Sequence, residues 1–223
     1  MNRKMNDRSV FPDTEEHIRL RHQLVNTIAA KGITDERVLD AIKLLPRHLF
    51  MPGMEDQAYL DKPFPIGEGQ TISQPYTVAY QTQLLQVNRG DKIMEVGTGS
   101  AYQAAILAVM GAEVYTIERQ KKLYDRNQQN PFLQSFSHLH FSYGDGYNGW
   151  AKEAPFDKIL ITAAPEELPL ELIDQLREGG LMIAPIGKAG TQRMMRITKL
   201  AGGQLKQEYF DHFSFVPMLK GKV

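Results

Sequence analysis

Four short stretches of this chain carry residue types that could do chemistry. Gly97-Thr98-Gly99 follows an apolar run and precedes a helical pattern, and Glu95 stands just before the first glycine. Glu118 lies about twenty residues beyond that turn, the spacing at which dinucleotide and nucleoside sites place a ribose acceptor. Asp145 sits between Gly144 and Gly146, and Gly69-Gln-Thr-Ile-Ser-Gln-Pro-Tyr76 gathers hydroxyls and amides where a proline opens a helix. Glycines let the backbone turn tightly and approach a ligand with no Cβ in the way. The helix behind them offers free N–H groups and a partial positive charge. The G-x-G-x-x-G fingerprint fails, because Tyr102 stands where its third glycine belongs. Glu95 also disfavours a pyrophosphate, since two anions repel, and suits a ligand that carries a cation or an amine. S-adenosylmethionine (SAM), with its ammonium and sulfonium, meets that condition, and Glu95 is expected to belong to its site.

Each remaining residue has a plainer alternative. Glu118 can accept both hydroxyls of a ribose or be a solvated acid at a strand end. Asp145 can accept from an adenine amine, with Gly146 letting the purine lie on the backbone, or be an ordinary Asp-Gly turn. Helix N-termini bind anions, so Thr71, Ser73 and their neighbours could hold a substrate carboxylate. A plain N-cap by Ser73 or Gln74 is the alternative. Capping explains one such side chain, not Gln70, Thr71, Ser73 and Gln74 together. His138 and His140 share a strand face, but no third ligand lies near them, so no metal is expected. His48 is expected to pack or hydrogen-bond within its loop. Ser73 lacks the G-x-S-x-G context of a hydrolase nucleophile.

Composition bounds these readings. The chain has 223 residues and 42% hydrophobic content, enough for one large domain or a domain with an appendage. Lys plus Arg is 26 and Asp plus Glu is 26, which argues against a broad basic surface for nucleic acid. There is no cysteine, so thiolate catalysis, disulfides and zinc–thiolate sites are excluded. No signal peptide or membrane span is read, and a cytoplasmic monomer is expected.

The elements that must position these residues follow from periodicity. Residues 1–12 are expected to be a mobile tail and 13–223 a single domain, with a helical, loop-rich extension over 13–88 and a cofactor-binding core over 89–223. Asp13 and Glu16 have capping-box spacing before an amphipathic helix, and Thr34 is expected to cap a second. Residues 46–74 are expected to be irregular, with alternating prolines and glycines. Pro75 opens a further helix. Then come β/α units: strand Lys92–Val96, helix Ala101–Met110, strand Glu113–Ile117, helix Arg119–Gln129, and strands His138–Tyr143 and Phe156–Thr162. A helix over Leu168–Arg177, closed by Gly179-Gly180, and a strand Leu181–Ile186 follow. Arg193–Leu200 and Gln204–Phe215 are expected to form an antiparallel hairpin. The fold class is α/β: a Rossmann-like sheet with helices on both faces, an N-terminal helical extension and a C-terminal hairpin.

With these stretches in hand, the chain resembles the protein-L-isoaspartate O-methyltransferase family. The resemblance rests on Pro46-Arg47-His48-Leu-Phe, Ile66 through Tyr76, Met94 through Gln103, Val114 through Glu118, Gly144-Asp-Gly146, Phe156 through Pro165 and Gly179-Gly180. It implies SAM-dependent methylation of the free α-carboxyl of L-isoaspartyl residues in damaged proteins and peptides. The ester is a better leaving group, so the backbone closes a succinimide that hydrolyses partly to aspartate. The resemblance makes Ser73 the active-site residue, with Thr71 and Ile72 shaping its loop. Gly97, Gly99 and Ser100 would cradle the methionine side, Glu118 the ribose, Asp145 and Gly146 the adenine, and Gln192 would lie near the cofactor. No metal is implied.

Two positions depart from the family. Ala101 stands where glycine is usual; its methyl is tolerable in regular helix and costs affinity if it touches SAM. Ser214 stands where many bacterial relatives carry Arg. The rival readings are a SAM methyltransferase for a small molecule or nucleic acid, and a non-catalytic SAM-binding module. Finally, Asn148-Gly149 is a dipeptide prone to succinimide closure, so the aged chain is expected to acquire isoaspartate there and become its own substrate.

Overall fold

An apolar stripe of Leu24, Val25 and Ile28 makes α1 (Glu15–Ala30) and is buried along its length. The computed structural model describes residues 13–223; the tail expected over 1–12 lies outside them. The cap of α1 is Thr14, whose hydroxyl accepts the His17 N–H at 3.1 Å. Asp13 instead faces the Arg21 guanidinium, with which it makes two bonds. α2 (Glu36–Leu44) is capped by Asp35 rather than Thr34, because the Thr34 N–H is drawn to Gln83 Oε1 at 2.7 Å.

The stretch expected to be irregular contains short regular elements. Two short 3-10 turns (Arg47–Phe50 and Glu55–Gln57) lead into a hairpin of β1 (Phe64–Gly67) and β2 (Gln70–Ile72). Glu68 and Gly69 both take positive φ to make its turn. Phe50, Met51, Tyr59, Ile66 and Ile72 are buried beneath it, each worth about 1.5–3 kcal/mol of apolar transfer.

After α3 (Pro75–Leu85) the chain alternates: β3 (Lys92–Val96), α4 (Tyr102–Val109), β4 (Glu113–Glu118), α5 (Lys121–Gln128), α6 (Pro131–Gln134), β5 (Leu139–Tyr143) and β6 (Phe156–Ile161). Then come α7 (Leu170–Asp174), β7 (Leu176–Ile186), β8 (Arg193–Lys199) and β9 (Leu205–His212). The main sheet has the order β5-β4-β3-β6-β7-β8-β9, parallel through β7 and antiparallel beyond. This is the Rossmann-like sheet, closed by the expected hairpin. The helix expected over 168–177 shrinks to five residues, because pairing with β6 claims Leu176 for β7. Gly179-Gly180 lies inside β7 at an irregularity in that pairing, where a Cβ on Gly180 would meet the Arg177 carbonyl at 2.8 Å.

Strand alternation sends Ile93 to one face of the sheet and Met94 and Val96 to the other. Ile93 packs in one core with Ile28, Ile42 and Ile106, so α1 and α2 share that core with the sheet. Met94 and Val96 pack with Phe156 and Leu172 on the opposite face. The parallel strands end at Val96, Glu118, Tyr143 and Ile161 on one edge, where ligands bind in open α/β sheets.

Candidate active site

The turn after β3 folds over the end of β4. The Gly97 and Thr98 N–H groups both donate to the Ile117 carbonyl, at 3.0 and 3.2 Å. Gly97 is required twice: its φ is +99°, and a Cβ would meet Thr162 Oγ1 at 2.6 Å. The Gly99 N–H donates to Glu118 Oε2 at 2.8 Å, and the Gln120 N–H donates to Oε1 at 2.7 Å. Burial raises the Glu118 pKa while these N–H groups pull against it.

Ala101 adopts φ +65°, so it is not regular helix, and it is not among the residues that line the cleft at this edge. It is fully buried in a left-handed turn, its N–H donating to the Thr98 carbonyl at 2.7 Å. Its cost therefore falls on stability, at about 1–2 kcal/mol for an L-residue held left-handed.

A cleft opens at this edge. Thr71, Ile72, Ser73, Gly97, Gly99, Ser100, Glu118 and Gly146 all line it. Val216 to Leu219 form its far wall. Three expected residues stand behind that lining, each for a visible reason. Glu95 is fully buried in β3, accepts the Thr116 hydroxyl, and has its pKa pushed up to about 8 by burial. A carboxyl that is protonated near neutral pH offers no charge to a cationic ligand. Asp145 caps the turn that follows it by accepting the Tyr147 N–H at 2.9 Å, and anchors the C-terminal segment by accepting the Gly221 N–H at 2.6 Å. Gln192 clamps Phe215, accepting its N–H at 2.6 Å and donating to its carbonyl at 3.1 Å. Both side chains thus support the wall at 216–219, and neither is among the residues that line the cleft.

Ser73 has no side-chain partner among the described residues, and neither it nor Gln74 caps α3 through its side chain. That task falls to Asp61, which accepts the Tyr76 N–H at 2.8 Å and the Gln74 amide at 3.0 Å. Sequence reasoning missed Asp61; the signal was a polar loop with no local cap. It also missed Gln103 and Thr162. Gln103 lines the cleft, donates to Thr82, and keeps a buried Oε1 with no partner. Thr162 locks the glycine turn by donating to the Val96 and Gly97 carbonyls.

A second groove of about 660 Å³ adjoins the cleft and shares Thr71, Ser73, Thr162 and Val216 with it. Tyr76, Phe213 and Phe215 supply aromatic surface there, and Lys31 and Asp211 supply charge. Ser214 lines it without charge.

The remaining candidates lie elsewhere. His140 pairs with Glu113 and His138 bonds the Ala108 carbonyl, so they hold no common ligand. His48 bonds the Tyr59 hydroxyl at 2.7 Å. Asp13, His17 and His48 are close enough for a cation, but the Arg21 guanidinium already occupies Asp13. Asn148 is clamped: its carbonyl accepts the Gln175 amide at 2.9 Å, and the Gly149 N–H donates to the Gly146 carbonyl at 3.2 Å. Succinimide closure needs that nitrogen free, so rapid deamidation is not what this geometry supports. Among the described residues no helix is long and apolar enough to cross a membrane.

Sheet order, the glycine turn over β4 and the acid at the end of β4 together define a Rossmann-like enzyme fold with a nucleoside-cofactor cleft. Comparison with known proteins narrows the class. Residues 19–223 match the family model described as Protein-L-isoaspartate(D-aspartate) O-methyltransferase (PCMT), and the chain belongs to that family. It is 47% identical over 211 residues to the protein-L-isoaspartate O-methyltransferase of Christiangramia forsetii, covering 94% of this chain and 99% of the relative. It is 49% identical over 212 residues to that of Flavobacterium johnsoniae, with the same coverage. A Plasmodium falciparum chain assigned to the same enzyme, solved with S-adenosyl-L-homocysteine, superposes with TM-score 0.78 at 26% identity, covering 90% of this chain and 99% of that one.

Proposed function

We propose that this site methylates the free α-carboxylate of L-isoaspartyl residues in damaged proteins and peptides, with SAM as donor. The observation that carries the reading is adjacency. Ser73 lines both the cofactor cleft and the groove, so a carboxylate at its unengaged hydroxyl borders the cofactor.

The residues present fit SAM. Each Glu118 oxygen accepts one N–H and keeps a lone pair for a ribose hydroxyl. Gln103 Oε1 is a buried acceptor in want of a donor, which an ammonium supplies. Gly97, Gly99 and Ser100 leave the turn open for the methionine portion, and Gly146 leaves room for the adenine. When bound, SAM supplies a methyl group already activated by its sulfonium. A carboxylate, with a pKa of about 4, is already a nucleophile at neutral pH and needs no general base. The chain's own work is therefore to bind, align and exclude water. Ser73 orients the carboxylate, and the aromatic groove takes the flanking peptide. The balance of 26 basic and 26 acidic residues supports protein over nucleic-acid substrates. We take the enzyme to be a cytoplasmic monomer, with 13–223 as one domain on the strength of its shared core.

Labelled SAM offered with an isoaspartyl peptide and its aspartyl twin tests the reading. Base-labile label on the isoaspartyl peptide alone is expected; label on both, or SAM binding without transfer, refutes it. Ser73→Ala is expected to lower turnover by about ten- to hundredfold, the worth of one hydrogen bond to a charged group, while SAM binding persists. Equal loss of both would remove Ser73 from this role.

A further inference from the structure

Arg47 is fully buried in the 3-10 turn that follows Pro46. One guanidinium nitrogen donates to the Ser73 carbonyl at 2.9 Å. The group lies over the Tyr102 ring, 4.7 Å from its centroid. Its other nitrogens, Nε and Nη1, are buried and make no hydrogen bond of ordinary geometry; the Tyr102 hydroxyl and the Asp61 carboxylate act on the charge, but no carboxylate lies within ion-pair distance of it among the described residues. Burial lowers its pKa to about 10, which leaves it charged at neutral pH.

Such a cation is costly to bury, and buried charges are ordinarily paired. Its neighbours show what is missing. Lys31, in the groove, is paired with Asp61. Arg119, at the cleft, donates to the Gly221 and Lys220 carbonyls. Ser214 brings no charge. Arg47 is thus a buried positive charge directly behind the residue where an anionic substrate group is to bind, and it also touches Tyr102, which lines the cofactor cleft.

We propose that Arg47 is a positioning residue for the methyl transfer: from behind Ser73 its charge selects the carboxylate form of the acceptor over the neutral ester, which favours substrate binding and product release. The proposal rests on the reading of this site as a carboxylate methyltransferase. The physical basis is that a charge acts strongly across a dry, low-dielectric path, and that esterification abolishes the acceptor charge on which it acts. Arg47 reaches the substrate only through the Ser73 backbone and its field, so it makes no catalytic contact itself.

The test compares binding of an isoaspartyl peptide with that of its α-methyl ester, both in the presence of S-adenosyl-L-homocysteine. Wild type is expected to prefer the carboxylate. Arg47→Met is expected to reduce that preference about tenfold or more, and to raise the peptide KM more than it lowers kcat. Arg47→Lys, which keeps the charge, is expected to retain most of the preference. If Arg47→Met does not fold, Arg47→Gln keeps a donor for the Ser73 carbonyl and is read in the same way. Equal weakening of both peptides would make Arg47 merely structural and overturn the proposal. A wild type that methylates the peptide while the variants keep its preference overturns the proposal alone. A wild type that neither binds nor methylates the isoaspartyl peptide overturns the functional reading as well.

Discussion

Replacing Glu95 with Gln is expected to stabilise the protein increasingly as pH rises from about 5 towards 8. The carboxyl is fully buried in β3; Oε2 accepts the Thr116 hydroxyl at 2.5 Å, and Oε1 has no partner. Burial is the largest influence, Glu118 adds repulsion, and the pKa rises from 4.5 to about 8. The sign follows directly. In the unfolded chain this group loses its proton near 4.5, whereas the folded chain keeps it until about 8. Across that window the native state binds more protons, so stability falls as pH rises. The gap is worth about 5 kcal/mol once pH exceeds 8, and roughly 3 kcal/mol at pH 7. Glutamine has the shape of the protonated acid and cannot ionise, so its variant escapes this loss. About 0.8 kcal/mol of this is already lost at pH 5, and for a chain of this size a kcal/mol moves the melting temperature by about 2–4 °C, so the two melting curves should separate by roughly 5–10 °C between pH 5 and 7. Glu118, also raised by burial, is present in both proteins, and its repulsion of Glu95 is part of the shift that Glu95→Gln removes. Thermal melts at half-unit pH steps provide the assay. Parallel pH profiles for Glu95→Gln and wild type would refute the buried, protonated Glu95.

Gly97→Ala incurs both a positive φ and a contact at 2.6 Å with Thr162 Oγ1, so a loss of about 2–4 kcal/mol is expected, with weakened binding of S-adenosyl-L-homocysteine. Gly53→Ala, where φ is +82° but nothing lies within 4 Å, should lose only about 1 kcal/mol; equal melting temperatures for the two variants would refute the steric part. Gln175→Ala removes the bonds that hold the Asn148 carbonyl and the Trp150 N–H, and should speed isoaspartate formation at Asn148 several-fold on ageing near neutral pH. Peptide mapping checks it, and equal rates in variant and wild type would dismiss the clamp.

What could be read from the sequence was local. Lys92–Val96 reads as a buried strand because it is one, and the glycine turn and Glu118 follow at spacings fixed by a single β/α unit. That the Ser73 loop borders the cleft could be anticipated because its polar side chains exceeded what a cap requires. What stayed hidden depends on partners far along the chain. Asp145 bonds Gly221 across 76 residues, and Gln192 bonds Phe215 across 23. No local pattern shows that Asp145 also holds the segment around Gly221. The same holds for α7, shortened because β6 pairs with Leu176, and for the 46–74 stretch, whose hairpin is closed by cross-strand pairs and an unusual Glu68 φ of +52°. Arg47 could be seen as a motif residue, but its buried, unpaired state is purely tertiary.

The costs in this molecule gather at one place, and that has a functional consequence. Among the described residues, the buried polar side-chain atoms left without partners belong to Arg47, Gln81, Glu95, Tyr102 and Gln103. Tyr102 and Gln103 line the cofactor cleft, Glu95 precedes its glycine turn, and Arg47 backs the substrate loop. The strained Ala101 lies between the turn and Tyr102. A site that must transfer a methyl group without an acid or base gains rate from alignment and dryness, and both require polar groups to be desolvated before the reactants arrive. The free chain bears that desolvation as lost stability. Ligands that supply the missing partners return it, which couples binding to folding through mass action. The left-handed Ala101 and the protonated Glu95 are then two parts of one arrangement: a turn held rigid and uncharged from below, while Glu118 and Ser73, the residues proposed to meet cofactor and substrate, line the cleft above it.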